Sequence, residues 1–392
     1  MDNLFSKTKE ELKKQEGLAT ADEIAQQPEM WKKTFDLIKA KQDEISEFLN
    51  DILKQDNLRV IFSGAGTSGY IGDAVVPYLK KILPETEIES IHTTDIVSHP
   101  EVYLSQNIPT LLFSYARSGN SPESLATVEF AEQIVDDLYQ IIITCNKDGG
   151  LVKNTGGEKT KVILLPDETH DKGFAMTSSF TSMLLSTLLI FNLSFLDKLE
   201  KDIEIIADNA KALIANTNVV ESLAEKDFDK IVYLGSYCYF GIAKESTLKL
   251  LELTAGEIVT RYDTPLGFRH GPKSIIDDKT LVILFLSSDK YSQKYDYDLL
   301  KELAEQNGKF ETLVLAEEYD EEINRLADNF IALTTKIERA DEIYNSLNYM
   351  VFAQIFALLN SLKLGITPDD PSPSGEVNRV VQGVKIYPYQ QK

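Results

Sequence analysis

Short, unbroken apolar runs alternate with amphipathic stretches through most of this chain. Arg59-Val60-Ile61-Phe62 ends in Ser63-Gly64-Ala65-Gly66 and is followed by a helical pattern from about 70 to 83. Thr110-Leu111-Leu112-Phe113 precedes a helical stretch at 122–136, and two more apolar runs stand at 140–144 and 161–165. Continuous apolar strands separated by helices predict a parallel sheet buried on both faces. Ahead of them, residues 8–16 are mostly Lys, Glu and Gln and read as a solvated helix. Thr20-Ala21-Asp22-Glu23 fits a capping box, and Ile24, Trp31, Phe35, Ile38 and Ile45 then recur at helical spacing up to residue 50.

The same pattern runs a second time. Lys230-Ile231-Val232-Tyr233-Leu234-Gly235 repeats the first strand and its glycine at an offset of 235 − 64 = 171. The runs beginning at Leu281 and Phe310 repeat those beginning at Thr110 and Tyr139 at the same offset of 171. A register held over three strands indicates an α/β chain of two tandem three-layer αβα domains, flavodoxin-like with parallel sheets and related by internal duplication. The expected organisation is a helical arm over 1–50, a first domain over 51–200, a second over 220–365, and a tail over 366–392 that covers the site.

Composition fits this picture. The 392 residues are 43% hydrophobic and 26% charged, an ordinary globular balance. The formal charge of −22 argues against nucleic acid or an anionic membrane surface as partner, so an anionic substrate needs a locally positive pocket. Cys145 and Cys238 are too few for a disulfide framework or a zinc cluster. The N-terminus lacks an apolar signal core, and the greasiest stretch, 183–196, is too short and too interrupted to cross a bilayer. A soluble, cytoplasmic protein is expected.

Four segments carry candidate chemistry. Arg117-Ser118-Gly119-Asn120-Ser121-Pro122-Glu123 joins a buried strand to a helix whose first residue reads as Pro122. Such an N-terminus offers unpaired backbone N–H groups and the positive end of the helix dipole, with Arg117, Ser118 and Ser121 as further donors to a phosphate. The plainer account makes Ser121 only an N-cap. In the second copy Asp289 takes the place of Ser118 at the 171 offset and would repel an anion. Ser63-Gly64-Ala65-Gly66-Thr67-Ser68-Gly69 matches G-x-G-x-x-G, yet no acidic residue ends the second strand to hold a ribose. A phosphate wall made by Thr67 and Ser68 fits better than a dinucleotide.

In the second half, Glu245, Lys249, Glu252 and Gly256 form one stripe on an otherwise apolar helix. It is either a surface salt-bridge row or a carboxylate and an ammonium held in a partly desolvated site. Arg269-His270-Gly271-Pro272 sets a histidine in a turn, where Arg269 and Lys273 would supply local positive charge. His92, His99 and His170 show no metal-ligand spacing and read as surface or structural residues.

Together these segments resemble the sugar isomerase (SIS) family, in particular its tagatose-6-phosphate ketose/aldose isomerase type, also described as a galactosamine-6-phosphate deaminase. The likeness extends to Glu23-Ile24-Ala25-Gln26-Gln27-Pro28 with Trp31, and to the tail from Pro373 to Gly383. It implies that Thr67, Ser68, Ser118 and Ser121 bind phosphate and that Glu252 moves a proton between C1 and C2, with Lys249 one turn before it. It also implies that His270 opens the sugar ring in a neighbouring subunit's site, so that a homodimer or tetramer is expected, and that Thr177 lies in a segment lining the sugar pocket. No glutaminase domain or N-terminal nucleophilic cysteine precedes the first half, which sets glutamine-dependent synthesis aside. The isomerase half of glucosamine-6-phosphate synthase, which the chain also resembles, carries a tail lysine where Gln382 stands here, which argues against a Schiff-base step.

The implied activity is isomerisation of a hexose 6-phosphate without metal or other cofactor, by preference deaminating galactosamine 6-phosphate to tagatose 6-phosphate and ammonia. Plain aldose–ketose isomerisation is the alternative. A sugar-phosphate sensor needs no base and a scaffold needs no phosphate loop, so the joint presence of Glu252, His270 and the loop argues against both.

Overall fold

The computed structural model describes residues 3–390 apart from 155, 307, 376 and 382. The chain folds as two compact units. The first-sheet unit holds Lys33–Asp171, Ser178–Asp197 and the chain from Ser374 on; the second-sheet unit holds the chain up to Lys32, Lys172–Thr177 and Lys198–Pro373.

In the first-sheet unit five parallel strands, β1 (Arg59–Ser63), β2 (Glu87–Ser90), β3 (Thr110–Ala116), β4 (Leu138–Thr144) and β5 (Thr160–Leu164), run in the order β2-β1-β3-β4-β5. The second-sheet unit repeats this with β6 (Lys230–Gly235), β7 (Val259–Asp263), β8 (Thr280–Phe285), β9 (Glu311–Ala316) and β10 (Asn329–Ala332), in the order β7-β6-β8-β9-β10. β1 and β3 are buried at every position, which is why their sequences are continuous apolar runs.

Each order reverses direction once, between β1 and β3 and between β6 and β8. There the flanking helices depart to opposite sides and leave a crevice at the carboxyl edge of the sheet, the usual ligand position in open α/β folds. Helix α1 (Thr67–Ile82) follows β1 and α2 (Pro122–Ile134) follows β3. The first part of the greasy stretch lies in α3 (Ser178–Ile190), buried at every residue, and the rest turns out of it through Leu193–Phe195. In the second-sheet unit α4 (Cys238–Leu253) follows β6, α5 (Ser292–Ala304) follows β8, and α6 (Ser346–Lys363) packs along α4. Among the described residues no single helix is long and apolar enough to cross a membrane.

Three expectations change. The capping box joins Thr8, the N-cap of the helix Lys9–Lys14, to Glu11 in the first turn of that helix. Thr20 and Glu23 instead sit inside the helix Leu18–Ala25, where Thr20 donates to Asp369 (2.7 Å) and Glu23 accepts the backbone N–H of Gly173 (3.2 Å). The apolar positions of the arm are spread over separate helices, Leu18–Ala25, Gln27–Ala40 and Gln42–Ile52. Finally, the constant offset breaks in the strand ladders. Val60 pairs with Leu111 and its equivalent Ile231 with Leu281, so the third strand is offset by 281 − 111 = 170. Leu111 pairs with Tyr139 and Leu281 with Glu311, which makes the fourth 311 − 139 = 172. Ser288, rather than Asp289, therefore stands at the place of Ser118 (288 − 118 = 170).

Candidate functional site

The first switch point is built by two glycine-rich turns. At Gly64 a Cβ would lie 2.4 Å from the Ser68 main chain, and Gly66 turns through φ 54° into the first residue of α1. Thr67 and Ser68 are thus buried at the helix N-terminus. Beyond β3, Gly119 (φ 68°) packs on Gly149, while the Asn146 amide donates to the Ser118 carbonyl (2.8 Å) and the Gly150 N–H to Asn120 Oδ1 (2.8 Å). These bonds clamp the loop main chain. Ser121 occupies the N-cap position of α2, but its hydroxyl makes no cap bond and donates to Ser124 Oγ at 2.6 Å. The plain N-cap account therefore lacks its hydrogen bond. Two helices of 16 and 13 residues begin at adjoining strand ends, and their dipoles and hydroxyls suit a phosphate.

Arg117 is 6% exposed and donates from Nη2 to the carbonyl of Arg379 (2.9 Å), whose guanidinium in turn bonds the Asp171 carbonyl. The Asp171 carboxylate accepts the N–H groups of Ser178 (3.0 Å) and Ser179 (2.9 Å) at the start of α3. Burial, and then the Arg379 and Arg117 charges, hold the His170 imidazole below its usual range. The sequence reading missed Arg379, although Asn378-Arg379 in the family-like tail marked the segment. His92, read as surface or structural, lies against Gly69 in the first turn of α1 and 3.5 Å from Asp73.

In the second-sheet unit, the stripe on α4 is a buried triad. Lys249 is 0% exposed, 3.4 Å from the fully buried Glu245, and in contact with Glu252, whose side chain is 24% exposed. A row of surface salt bridges is excluded. One ammonium between two carboxylates, only one of them reaching solvent, suits proton transfer at Glu252, with Glu245 holding Lys249 in place. His270 is exposed in the turn after the short helix Pro265–Phe268. The positive charge expected beside it is offset, because Arg269 (Nε to Oε2, 2.7 Å) and Lys273 both converge on Glu302 of α5.

At the second switch point carboxylates occupy the donors. Glu342 accepts the Ser288 N–H (2.6 Å) and the Ser287 hydroxyl (2.9 Å), and Asp296 of α5 accepts the Ser287 N–H (3.0 Å) and the Ser236 hydroxyl (3.3 Å). Burial pushes the Asp296 carboxyl up to about 7 and also raises that of Glu342.

Thr177 is fully buried in Lys172–Thr177, a segment of the second-sheet unit. Gln382, like Glu376 of the tail, lies outside the described residues. Among the described residues, no group of three or more His, Cys, Asp and Glu is placed to hold a metal ion.

Two flavodoxin-like αβα units, one of them with a switch point suited to an anion, define a duplicated open α/β protein. The SIS domain family model matches residues 52–193 and 223–359, and the chain belongs to that family. It is 44% identical over 385 residues to the D-galactosamine-6-phosphate deaminase AgaS of Shewanella sp. strain ANA-3, covering 94% of this chain and 92% of that one. It is 42% identical to the protein of the same name from Escherichia coli, covering 95% and 97%. Among solved structures, the tagatose-6-phosphate ketose/aldose isomerase of Escherichia coli aligns with TM-score 0.87 at 39% identity, covering 96% and 98%. A crystal structure from Clostridium novyi NT aligns with TM-score 0.96 at 48% identity, covering 99% and 100%.

Proposed function

We propose that this protein catalyses deaminating isomerisation of galactosamine 6-phosphate, giving tagatose 6-phosphate and ammonia. The buried Glu245–Lys249–Glu252 triad carries this reading, since it holds a partly exposed carboxylate beside a fixed ammonium. The phosphate binds at the first switch point through Thr67, Ser68, Ser118 and Ser121 with Arg117, and this remote binding energy positions the reacting carbons. His270 assists ring opening. Glu252 removes the C2 proton of the open aldehyde, giving an enolamine with a hydroxyl on C1, and Lys249 stabilises the developing oxyanion. Return of the proton to C1 leaves a C2 imine, and water adds to release ammonia and the ketose. An exposed His270 flanked in sequence by exposed Leu266, with exposed Leu251 beside Glu252, supports a second copy covering this face and sharing the site, a homodimer at least. The work belongs to a soluble cytoplasmic enzyme of amino-sugar breakdown.

The names of the relatives also admit plain tagatose-6-phosphate isomerisation. Ammonia release from galactosamine 6-phosphate, with glucosamine 6-phosphate in parallel, separates the two. Release from the galacto sugar alone is expected. No release from either, with tagatose 6-phosphate turned over, would overturn the deaminating reading.

A further inference from the structure

Two stretches of the tail touch opposite ends of the phosphate-site helix. Near the far end of α2, Ile386 and Tyr389 pack on the cluster holding Phe130 and Ile134. The Tyr389 ring lies 5.7 Å from that of Phe130, and Gln133 donates to the Tyr389 carbonyl (3.4 Å). At the near end, Arg379 meets Arg117, the residue that opens the loop into α2. A helix of 13 residues spans roughly 20 Å, and the ten steps from Arg379 to Tyr389 are long enough to bridge that distance.

Both guanidinium groups lie within electrostatic reach of His170, in a chain of net charge −22. Arg117 is nearly buried and binds a tail carbonyl, while Arg379 is tied to the carbonyl of Asp171, whose carboxylate caps α3. Both cations act on His170, and the Asp171 carboxylate beside it opposes them. A phosphate dianion bound beside these cations gains from both charges. The loop that follows Arg117 and the two helix N-termini supply the other donors such a dianion needs.

We propose that Arg379 is a substrate-positioning residue: its carbonyl holds Arg117 beside the phosphate loop, and its guanidinium adds a second cation to the site for the sugar phosphate. This rests on the phosphate-loop reading given above. Arg379 lies in a segment tied down by apolar contacts elsewhere, so truncating its side chain leaves the tail docked.

The test is steady-state kinetics of full-length Arg379→Ala and Arg379→Lys with galactosamine 6-phosphate, using inorganic phosphate as competing anion. Loss of a charge-assisted bond predicts a rise of roughly ten- to a hundredfold in KM and in the phosphate inhibition constant, with kcat within about twofold. The lysine variant recovers part of the loss, because it keeps the charge without the planar fork. Chymotrypsin cleavage at the tail tyrosines should stay as slow as in the wild type, whereas Ile386→Ala should speed it. Unchanged KM and inhibition constant in Arg379→Ala would overturn the proposal. So would a tail released in Arg379→Ala with kinetics matching Ile386→Ala, since Arg379 would then be only an anchor. A wild type indifferent to phosphate would overturn the phosphate loop itself, and this inference with it.

Discussion

Gly66 turns into α1 at φ 54°, ψ −126°, and Tyr237 turns into α4 at φ 55°, ψ −124°, 171 residues later. The two helices, Thr67–Ile82 and Cys238–Leu253, keep that offset at both ends. Gly64 and Gly235 likewise both let the main chain approach Ser68 and Tyr239 closely. On this shared backbone the side chains diverge in complementary ways. The first copy keeps small hydroxyl donors at the start of its helix, and its counterparts of Glu245, Lys249 and Glu252 are Ala74, Tyr78 and Lys81. The second copy carries the triad, while Asp296 and Glu342 take up the hydroxyl and N–H donors of its switch point. It also holds a non-glycine residue in the strained turn, at a cost of about 1–3 kcal/mol. The proposed function divides along the same line, with anion binding in the first copy and proton transfer in the second.

The largest effect that would break this division is chemical. Glu252→Gln keeps the shape of the helix and removes the base, so kcat should fall by roughly 10²- to 10⁴-fold with KM little changed. Wild-type turnover in that variant would remove α4 from the chemistry. Next comes Lys249→Met, which leaves the fully buried Glu245 without its ammonium and should destabilise the fold by about 3–5 kcal/mol, read as a lower urea midpoint. A change near zero would return the stripe to the surface salt bridge that its sequence also allowed.

A smaller effect sharpens the account of the closed switch point. Burial holds the Asp296 carboxyl near 7 against an ordinary 3.8, with the Glu342 charge adding to the shift and hydrogen bonds from Ser287 and Ser236 opposing it. The folded state therefore binds this proton more tightly than the unfolded chain does. Its stabilising contribution is complete below about pH 4 and is lost as the pH rises through about 7. Asp296→Asn, which mimics the protonated acid, should gain about 3 kcal/mol on the wild type between pH 5 and pH 8. Parallel pH profiles in urea denaturation would contradict this.

The sequence exposed the duplication and both glycine turns, because buried parallel strands read as unbroken apolar runs and close approaches demand glycine. Lys249 was harder to place: spacing puts Glu245 and Glu252 within its reach, but only the packing of α6 on α4 tells a buried triad from a solvated row. Glu342 and Arg379 were illegible. They reach their loops from 54 and 262 residues away, and no local pattern marks a carboxylate that will cap a distant turn or an arginine that will meet Arg117. The exchange of Asp289 for Ser288 at the Ser118 position has a similar origin, since a one-residue slip between copies shows only in ladder register.

The asymmetry of the two copies is tested most directly by counting anion sites. Galactitol 6-phosphate has no carbonyl to isomerise, and calorimetric titration of the wild type should give one site per chain. Ser118→Ala combined with Ser121→Ala should weaken that site by tenfold or more, and Glu342→Gln should leave it unmoved. Two sites per chain, or one site that survives the double serine change and is lost with Glu342→Gln, would contradict the account.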